Sequence, residues 1–189
     1  NLHVSWAKVG EDDLRLRGQG VKFYGYAFKD FGYYFNFLDY REVGSAINVG
    51  RVHTPAPGVV LTKGTTESIE YNTTEVQLTA SFGAFDISLE KMQNVWGPAR
   101  HGNLIFSEKA PSYPQIKLRV PATGWMDFIY LHADLNSNVL DSSRSYPANS
   151  SSMMNFFRPV DRLKYMAAHM VEITPVRGVI ISLGESVVY

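Results

Sequence analysis

Apolar and polar residues alternate along most of the chain with a period of two, which is the pattern of strands that bury one face. In residues 115–120 every second residue is Ile, Leu or Val, and the residues between them are Gln, Lys and Arg. Similar alternation, or enrichment in β-branched and aromatic residues, predicts strands elsewhere. The predicted strands are residues 2–7, 21–28, 32–38, 46–53, 67–71, 75–80, 84–89, 103–106, 115–120, 125–131, 152–157, 178–183 and 186–189.

Prolines and glycines interrupt these strands at short intervals, and helical periodicity is rare. Residues 54–58, with the sequence Thr-Pro-Ala-Pro-Gly, cannot continue a ladder because proline lacks the backbone donor. Many short strands without helices between them are typical of antiparallel two-layer folds. We therefore predict an all-β fold, an antiparallel β-sandwich or jelly roll, in a single domain over residues 1–189 with at most one or two short helices.

Two segments depart from this pattern. In residues 159–170, Val160, Leu163, Ala167 and Met170 would form one stripe of a helix, so a short helix competes there with a strand. Smaller helical turns would also fit residues 89–94. Residues 134–152 are rich in Asn and Ser, which predicts an exposed loop.

Composition excludes several classes of function. The chain has 189 residues, with 18 Lys and Arg against 18 Asp and Glu, so its formal charge is zero and we expect no specific nucleic-acid site. It has no cysteine, which excludes disulfides and thiol nucleophiles. The apolar runs are shorter than the roughly 18 residues of a membrane helix, so we expect no membrane span.

The sharpest enzymatic pattern is a set of candidate metal ligands. On a strand, residues i and i+2 point to one side, so His132 and Asp134 could bind one metal. His169 would complete two histidines and a carboxylate, and Arg177 could hold a cosubstrate carboxylate; the set resembles the end of an iron- and 2-oxoglutarate-dependent jelly-roll oxygenase. The short polar segment between the ligands argues against this interpretation. The alternative is surface residues, so we assign no catalytic, cofactor or metal residue and expect a protein that is not an enzyme.

Aromatic side chains concentrate in residues 23–37, too densely for alternation to place all of them on one face. One interpretation is a central strand pair that buries rings on both faces. The others are a subunit interface and a platform that stacks on sugars, because rings supply large contact areas. A carbohydrate-binding or adhesive β-sandwich would also use exposed Trp96 or Trp125, so a sugar ligand is an alternative.

Residues 28–58 resemble part of a picorna-like, icosahedral-virus jelly-roll coat protein. An aromatic strand, Tyr33-Tyr34-Phe35-Asn36-Phe37, precedes a second strand over residues 47–53 and the proline-rich turn at residues 54–58. Residues 124–130 are similar to a late strand of such coats. The chain begins at Asn1 rather than Met, which would suit release from a polyprotein and would equally suit a trimmed chain or an excised domain. The resemblance implies a structural capsid subunit in a virion, whose partners are copies of itself or related coat subunits.

Overall fold

The computed structural model describes residues 2–48, 63–64, 67–97, 103, 106–107, 110–149 and 155–189. These residues form twelve strands and contain no helix, which confirms the all-β expectation. Accordingly, no helix in the described ranges is long and apolar enough to cross a membrane. The strands are β1 (Leu2–Val9), β2 (Asp12–Ala27), β3 (Phe31–Val43), β4 (Lys63–Gly64), β5 (Ser68–Ser81), β6 (Asp86–Met92), β7 (Tyr113–Thr123), β8 (Met126–Leu140), β9 (Tyr146–Asn149), β10 (Asn155–Arg158), β11 (Asp161–Val176) and β12 (Val179–Val188).

Nine of the strands follow one another across a single sheet in the order β1-β2-β3-β5-β6-β7-β8-β11-β12. Every pair is antiparallel, so the sheet is a meander in which neighbours in space are close neighbours in sequence. The short β4 pairs with the beginning of β5, and β9 and β10 form a separate two-stranded sheet. A sandwich or jelly roll is not confirmed, because the long described strands belong to this one sheet.

Of the two alternatives for residues 159–170, the strand is observed and the helix is not, because most of that segment belongs to β11. Met166, Ala168 and Met170 are buried, and the residues between them are more exposed, which is the period of a strand. β11 pairs with β8 on one side and with β12 on the other. Ladder hydrogen bonds on both sides therefore override the helical stripe that the same residues would form.

Other boundaries also differ from prediction. The described part of the predicted loop over residues 134–152 is largely strand, because β8 continues to Leu140 and β9 spans Tyr146–Asn149; residues 150–152 lie outside the described ranges. The helical turns expected in residues 89–94 are absent, since β6 extends to Met92 and residues 93–94 have no regular structure. The strand predicted over residues 46–53 is not observed at residues 46–48, and residues 49–53 lie outside the described ranges. The strand predicted over residues 103–106 is not observed at residues 103 and 106, and residues 104 and 105 lie outside the described ranges.

The sheet has two chemically different faces, which the registers between strands define. One row of opposite residues is Tyr33, Leu78, Leu89, Ile116, His132, Ala167 and Val187, and we call its side of the sheet the apolar face. The row beside it is Tyr34, Gln77, Glu90, Gln115, Ala133, Met166 and Val188, and we call that side the polar face.

The main hydrophobic core lies on the polar face, where the segment between β6 and β7 covers β7, β8 and β11. Trp96 and Phe106 of this segment pack edge to face with ring centroids 4.6 Å apart. Beneath them are Leu131, Ala168 and Met170, which are buried in the same cluster. The covering segment therefore buries part of the polar face, whereas the apolar face receives no comparable cover from the described residues.

Candidate functional site

A buried carboxylate organises the centre of the polar face. Glu90 on β6 accepts hydrogen bonds from Gln77 Nε2 on β5 and Gln115 Nε2 on β7, each at 2.7 Å. Its Oε1 lies 2.5 Å from Lys117 Nζ, and its side chain has no exposed surface. Two amides and one ammonium group thus compensate a charge that would otherwise be costly to bury.

Asn94 connects this network to the covering segment. Its Nδ2 donates to Gln115 Oε1 at 2.6 Å and to the Tyr113 hydroxyl at 3.0 Å. Two residues later the Trp96 backbone N–H donates to the Phe106 carbonyl at 3.1 Å. The network therefore fixes the position at which the chain leaves β6 and crosses the sheet.

A polar trough runs over the sheet beside this network. It consists of two cavities, of about 770 Å³ and 550 Å³, that share Gln77, Thr79 and Asp86 in their walls. The larger cavity reaches Lys117 and Arg119, and the smaller one reaches tyrosines on β2 and β3. The walls thus combine charges of both signs with hydroxyl, amide and aromatic groups, a set that suits a hydrated ligand with many hydroxyl groups.

The tyrosine end of the trough is open to solvent. Tyr24 is 72% exposed and Tyr26 is 84% exposed. Lys22 Nζ lies 5.2 Å from the centroid of the Tyr34 ring, within the range of a cation–π contact. Alternation along residues 23–37 does place rings on both faces, but the expectation that both faces bury them is wrong.

The two tryptophans proposed for sugar stacking lie in different environments. Trp96 is only 8% exposed because it packs in the core, so it is not the exposed platform that the sequence predicted. Trp125 is 52% exposed in the turn between β7 and β8. The exposed tyrosines of the trough are therefore better placed than Trp96 to stack on a ligand.

The candidate iron ligands do not gather into a site. His132 and Asp134 share the apolar face, as the i, i+2 spacing predicts, but His132 stacks on Tyr165 at a centroid distance of 5.8 Å. His169 Nε2 lies 3.1 Å from Glu185 Oε1. Arg177 lies in the turn between β11 and β12. No group of three or more His, Cys, Asp or Glu among the described residues could hold a metal.

An apolar band crosses the apolar face from β2 to β12. Several large side chains in it are exposed, with Phe23 at 54%, Leu89 at 61%, Ile116 at 53% and Leu183 at 69%. The remaining members on β3, β5, β7, β8 and β11 include Phe31, Phe35, Phe37, Val76, Leu118, Val120, Phe128, Val171 and Ile173.

Charged residues border the apolar band on its β2, β3 and β5 side. Arg17 on β2 is opposite Arg41 on β3, and Arg41 is opposite Glu70 on β5. Arg41 Nε lies 3.7 Å from Glu70 Oε1. The apolar band therefore ends abruptly along these strands, and polar side chains continue the same face beyond it.

Comparison of the chain with known protein families, with curated proteins and with solved structures found no match.

Sequence analysis missed the residues that hold the trough together. Glu90, Asn94 and Gln115 were not singled out, and they meet only when β6, β7 and the covering segment pack. The alternation did contain a signal, because Glu90 follows Leu89 and Gln115 precedes Ile116, so each takes the polar side of its strand. What it could not reveal was which of the two faces would be covered.

Proposed function

We propose that this protein is a non-enzymatic structural protein whose apolar face lies against the hydrocarbon of a lipid bilayer, while its polar trough faces water. The observation that carries this proposal is the exposure of the apolar band on the face opposite the core. The described residues cover part of the polar face, and among them none buries Phe23, Leu89 or Ile116 on the apolar face. A contiguous exposed apolar surface of this kind marks a contact with a partner or a membrane.

The dimensions of the apolar band suit a bilayer. On β3 the band runs from Phe31 to Phe37, and charged Asp39 and Arg41 follow on the same face. At about 3.4 Å per residue this run spans roughly 20 Å. Strands that cross membranes carry an outward apolar band of roughly 25 Å with alternation between apolar and polar residues.

The observations favour lipid over a coat subunit as the neighbour of this face. Protein interfaces carry about one hydrogen bond per 100–200 Å² and a polar rim, which requires donors and acceptors among the apolar side chains. The part of the apolar band on β2, β3 and β5 supplies mainly hydrocarbon and aromatic rings, and it is this part that favours lipid; on β8, β11 and β12 the same face also carries His132, Asp134, His169 and Glu185. Assembly into a virion shell, which the resemblance to coat proteins implies, is the alternative outcome of the test.

Site-directed spin labels would test the proposal, because the chain has no cysteine of its own. Phe23 and Tyr24 are adjacent on β2 and point to opposite faces, and both are more than half exposed. In vesicles of phosphatidylcholine and phosphatidylglycerol, a label at F23C should collide with oxygen, which concentrates in lipid. A label at Y24C should collide with a water-soluble nickel chelate.

Val21 and Lys22, two residues earlier on β2, also point to opposite faces. Labels at V21C and K22C should therefore show the same contrast, which repeats the test at a second position. Equal access of the nickel chelate to F23C and Y24C in vesicles would contradict the proposal. So would a chain that stays out of the vesicles and forms shells visible by negative-stain microscopy, and that result would support the coat subunit instead.

The trough supports a second candidate function, recognition of a carbohydrate. The specific observation is the exposed ring of Tyr24 beside Lys22, with Gln77, Thr79 and Asp86 forming the shared wall. A sugar face could stack on the ring while the polar side chains bind its hydroxyls. On a glycan array, Y24A should weaken any binding at least about tenfold relative to Y24F. Failure of every glycan to bind at millimolar concentration would contradict this candidate.

A further inference from the structure

The tight turns of the sheet lie mostly at one of its ends. Short turns close the hairpins β2–β3, β5–β6, β7–β8 and β11–β12, over residues 28–30, 82–85, 124–125 and 177–178. Strand direction alternates across the meander, so these four turns share one end of the sheet, which we call the turn end. The opposite end has the turn between β1 and β2 and the long connections over residues 44–67, 93–112 and 141–160.

Large aromatic rings are exposed at the turn end. Phe28 is 94% exposed, Phe82 is 60% exposed and Trp125 is 52% exposed. Tight turns are usually built from Gly, Pro, Asn, Asp and Ser, because those residues supply the backbone geometry or bond to the backbone. The turn at the opposite end, Gly10 and Glu11, uses glycine at positive φ and has no ring. Turn formation therefore does not account for the rings.

Phe28 shows the cost of such a ring most clearly. Its φ is +64°, in the left-handed region where the Cβ of a bulky residue crowds the backbone. Two other turns at this end use glycine at positive φ, Gly83 at +79° and Gly178 at +89°, and glycine adopts this geometry without that strain. The Phe28 ring is almost wholly exposed, so a contact that stabilises it lies outside the described residues.

The apolar band reaches the turn end but not the opposite end. On β3 its first member, Phe31, is the first residue of the strand, and the charged Asp39 and Arg41 end the band farther along. On β8 Phe128 lies near the start of the strand. If the apolar face is in hydrocarbon, as proposed above, the turn end lies at the boundary between hydrocarbon and water. Aromatic rings accumulate at this level of membrane proteins.

Charged residues beside the rings suit the headgroups of phospholipids. Lys29 follows Phe28 directly, Arg177 lies in the turn between β11 and β12, and both are exposed. Long side chains of this kind keep their hydrocarbon stem on an apolar surface while the cation reaches a phosphate. Asp30, in the same turn as Lys29, suits the ammonium part of a zwitterionic headgroup. Rings and charges together thus match the headgroup layer better than they match hydrocarbon or water alone.

We propose that the turn end lies in the headgroup layer of a phospholipid leaflet, where Phe28, Phe82 and Trp125 anchor the sheet and the two cations bind phosphate. This placement rests on the lipid contact proposed above. It adds which end of the strands meets the headgroups and which residues set the depth of the sheet. The turn between β1 and β2, beyond the charged border of the apolar band, lies in water.

Spin labels read with three relaxation agents test the depth. Oxygen concentrates in hydrocarbon, a nickel chelate attached to lipid headgroups marks the boundary, and a soluble nickel chelate marks water. In vesicles of phosphatidylcholine and phosphatidylglycerol that contain the nickel lipid, labels at F28C and W125C should collide most with the headgroup nickel. A label at F23C should collide most with oxygen, and one at E11C should collide most with the soluble chelate.

The outcomes separate this proposal from the lipid contact itself. If F23C and Y24C show the expected contrast but F28C and W125C respond as E11C does, the apolar face is in lipid and the turn end is not, which overturns the proposal. Turn labels that collide most with oxygen would overturn it too. If F23C and Y24C respond alike, the lipid contact fails and the proposal fails with it.

Paired substitutions test whether the ring itself anchors the turn. F28A and F28W both keep a Cβ at the same positive φ, so they differ in the ring alone. In vesicles F28W should match the parent chain. F28A should lower the ratio of folded to unfolded chain in urea about five- to tenfold, the effect of a Phe ring half removed from water.

The control for F28A is W6A, which removes a ring that is 64% exposed on β1, beyond the charged border of the apolar band. A surface substitution of this kind should change the ratio less than about twofold. Equal effects of F28A and W6A would contradict the anchoring role of Phe28, as would an F28A variant as stable in vesicles as F28W.

Discussion

Glu90 shows how much the polar face depends on a single side chain. Its carboxylate is fully buried and compensated by Gln77, Gln115 and Lys117. E90A would leave the Lys117 ammonium without its counter-charge and both amides without their acceptor. We expect a loss of about 3 kcal/mol in the free energy of unfolding, measured by urea titration in detergent micelles.

The control for E90A is R15A, which removes the exposed partner of Asp13, beyond the charged residues that border the apolar band. Exposed ion pairs contribute roughly 0–1 kcal/mol because water and salt screen them. Equal losses for the two variants would mean that Glu90 is not the buried centre of the network.

Asp141 makes the stability of the turn after β8 depend on pH. The Ser143 hydroxyl donates to Asp141 Oδ1 at 2.6 Å, and this bond outweighs partial desolvation and holds the pKa of the carboxyl below its usual value. The backbone N–H of Ser143 and the charge of Arg144 act in the same direction. Because the folded-state pKa is lowered, the stabilisation is complete above the unfolded pKa of about 3.9 and is lost as the pH falls through the folded value.

We expect D141N to be less stable than the parent chain at pH 7 and to approach it below about pH 4. Thermal unfolding followed by circular dichroism over this pH range would measure the difference. S143A removes the principal hydrogen-bond donor to Asp141, so it should reduce the part of the stability that is lost at low pH. A pH-independent difference between the parent chain and D141N would contradict the assignment.

At the scale of the element, the sequence of residues 159–170 fits both a helix and a strand, and substitutions on β11 distinguish the two. Ala168 is 1% exposed and lies in the core under the covering segment, and Ala167 points to the apolar face. A168L should cost about 1–3 kcal/mol through overpacking. A167L should change the free energy of unfolding by less than about 1 kcal/mol, because its added methyl groups join the apolar band. Similar losses at both positions would contradict the strand register.

The strands that could be predicted from sequence were those whose alternation fitted no other secondary structure. β7 was evident from residues 115–120, whereas β11 also matched a helical stripe, and only pairing with β8 and β12 decided between them. The second half of β8 was predicted as a loop because it begins a segment, residues 134–152, that is rich in Asn and Ser. Such residues are depleted in strands on average. Asn136 pairs with Leu163 of β11, whereas Ser137 and Asn138 lie at a register shift, where local side-chain hydrogen bonds hold the backbone.

At the scale of the whole molecule, the sequence predicted the strands but not which face of the sheet the rest of the chain would cover. Period two shows that each strand has two different sides, and it does not show whether the apolar or the polar side meets the rest of the chain. The sandwich expectation assumed that apolar sides face each other. Instead, residues from between β6 and β7 cover the polar side, through Asn94 and Trp96.

A single charged residue introduced into the apolar band should therefore lower the free energy of unfolding only when the band is in lipid. We expect L89K to lower the free energy of unfolding in vesicles by about 2–4 kcal/mol, because lysine is costly at the centre of a bilayer. Q19K, among the polar residues beyond the apolar band, should have little effect. Unfolding in urea with the fraction folded read by electrophoresis would compare them, and equal stability would contradict a lipid-facing band.

The meander also has a consequence for how the chain reaches this structure. Most strands pair with the strand that precedes them, so most of the sheet can form from hairpins that close short loops quickly. Two junctions break that rule, β3 to β5 and β8 to β11, where residues 44–67 and 141–160 intervene. Closing these connections, and the equally long one over residues 93–112 between β6 and β7, costs more chain entropy. We expect four locally formed units, β1 to β3, β5 to β6, β7 to β8 and β11 to β12, to join there in the slow steps of folding.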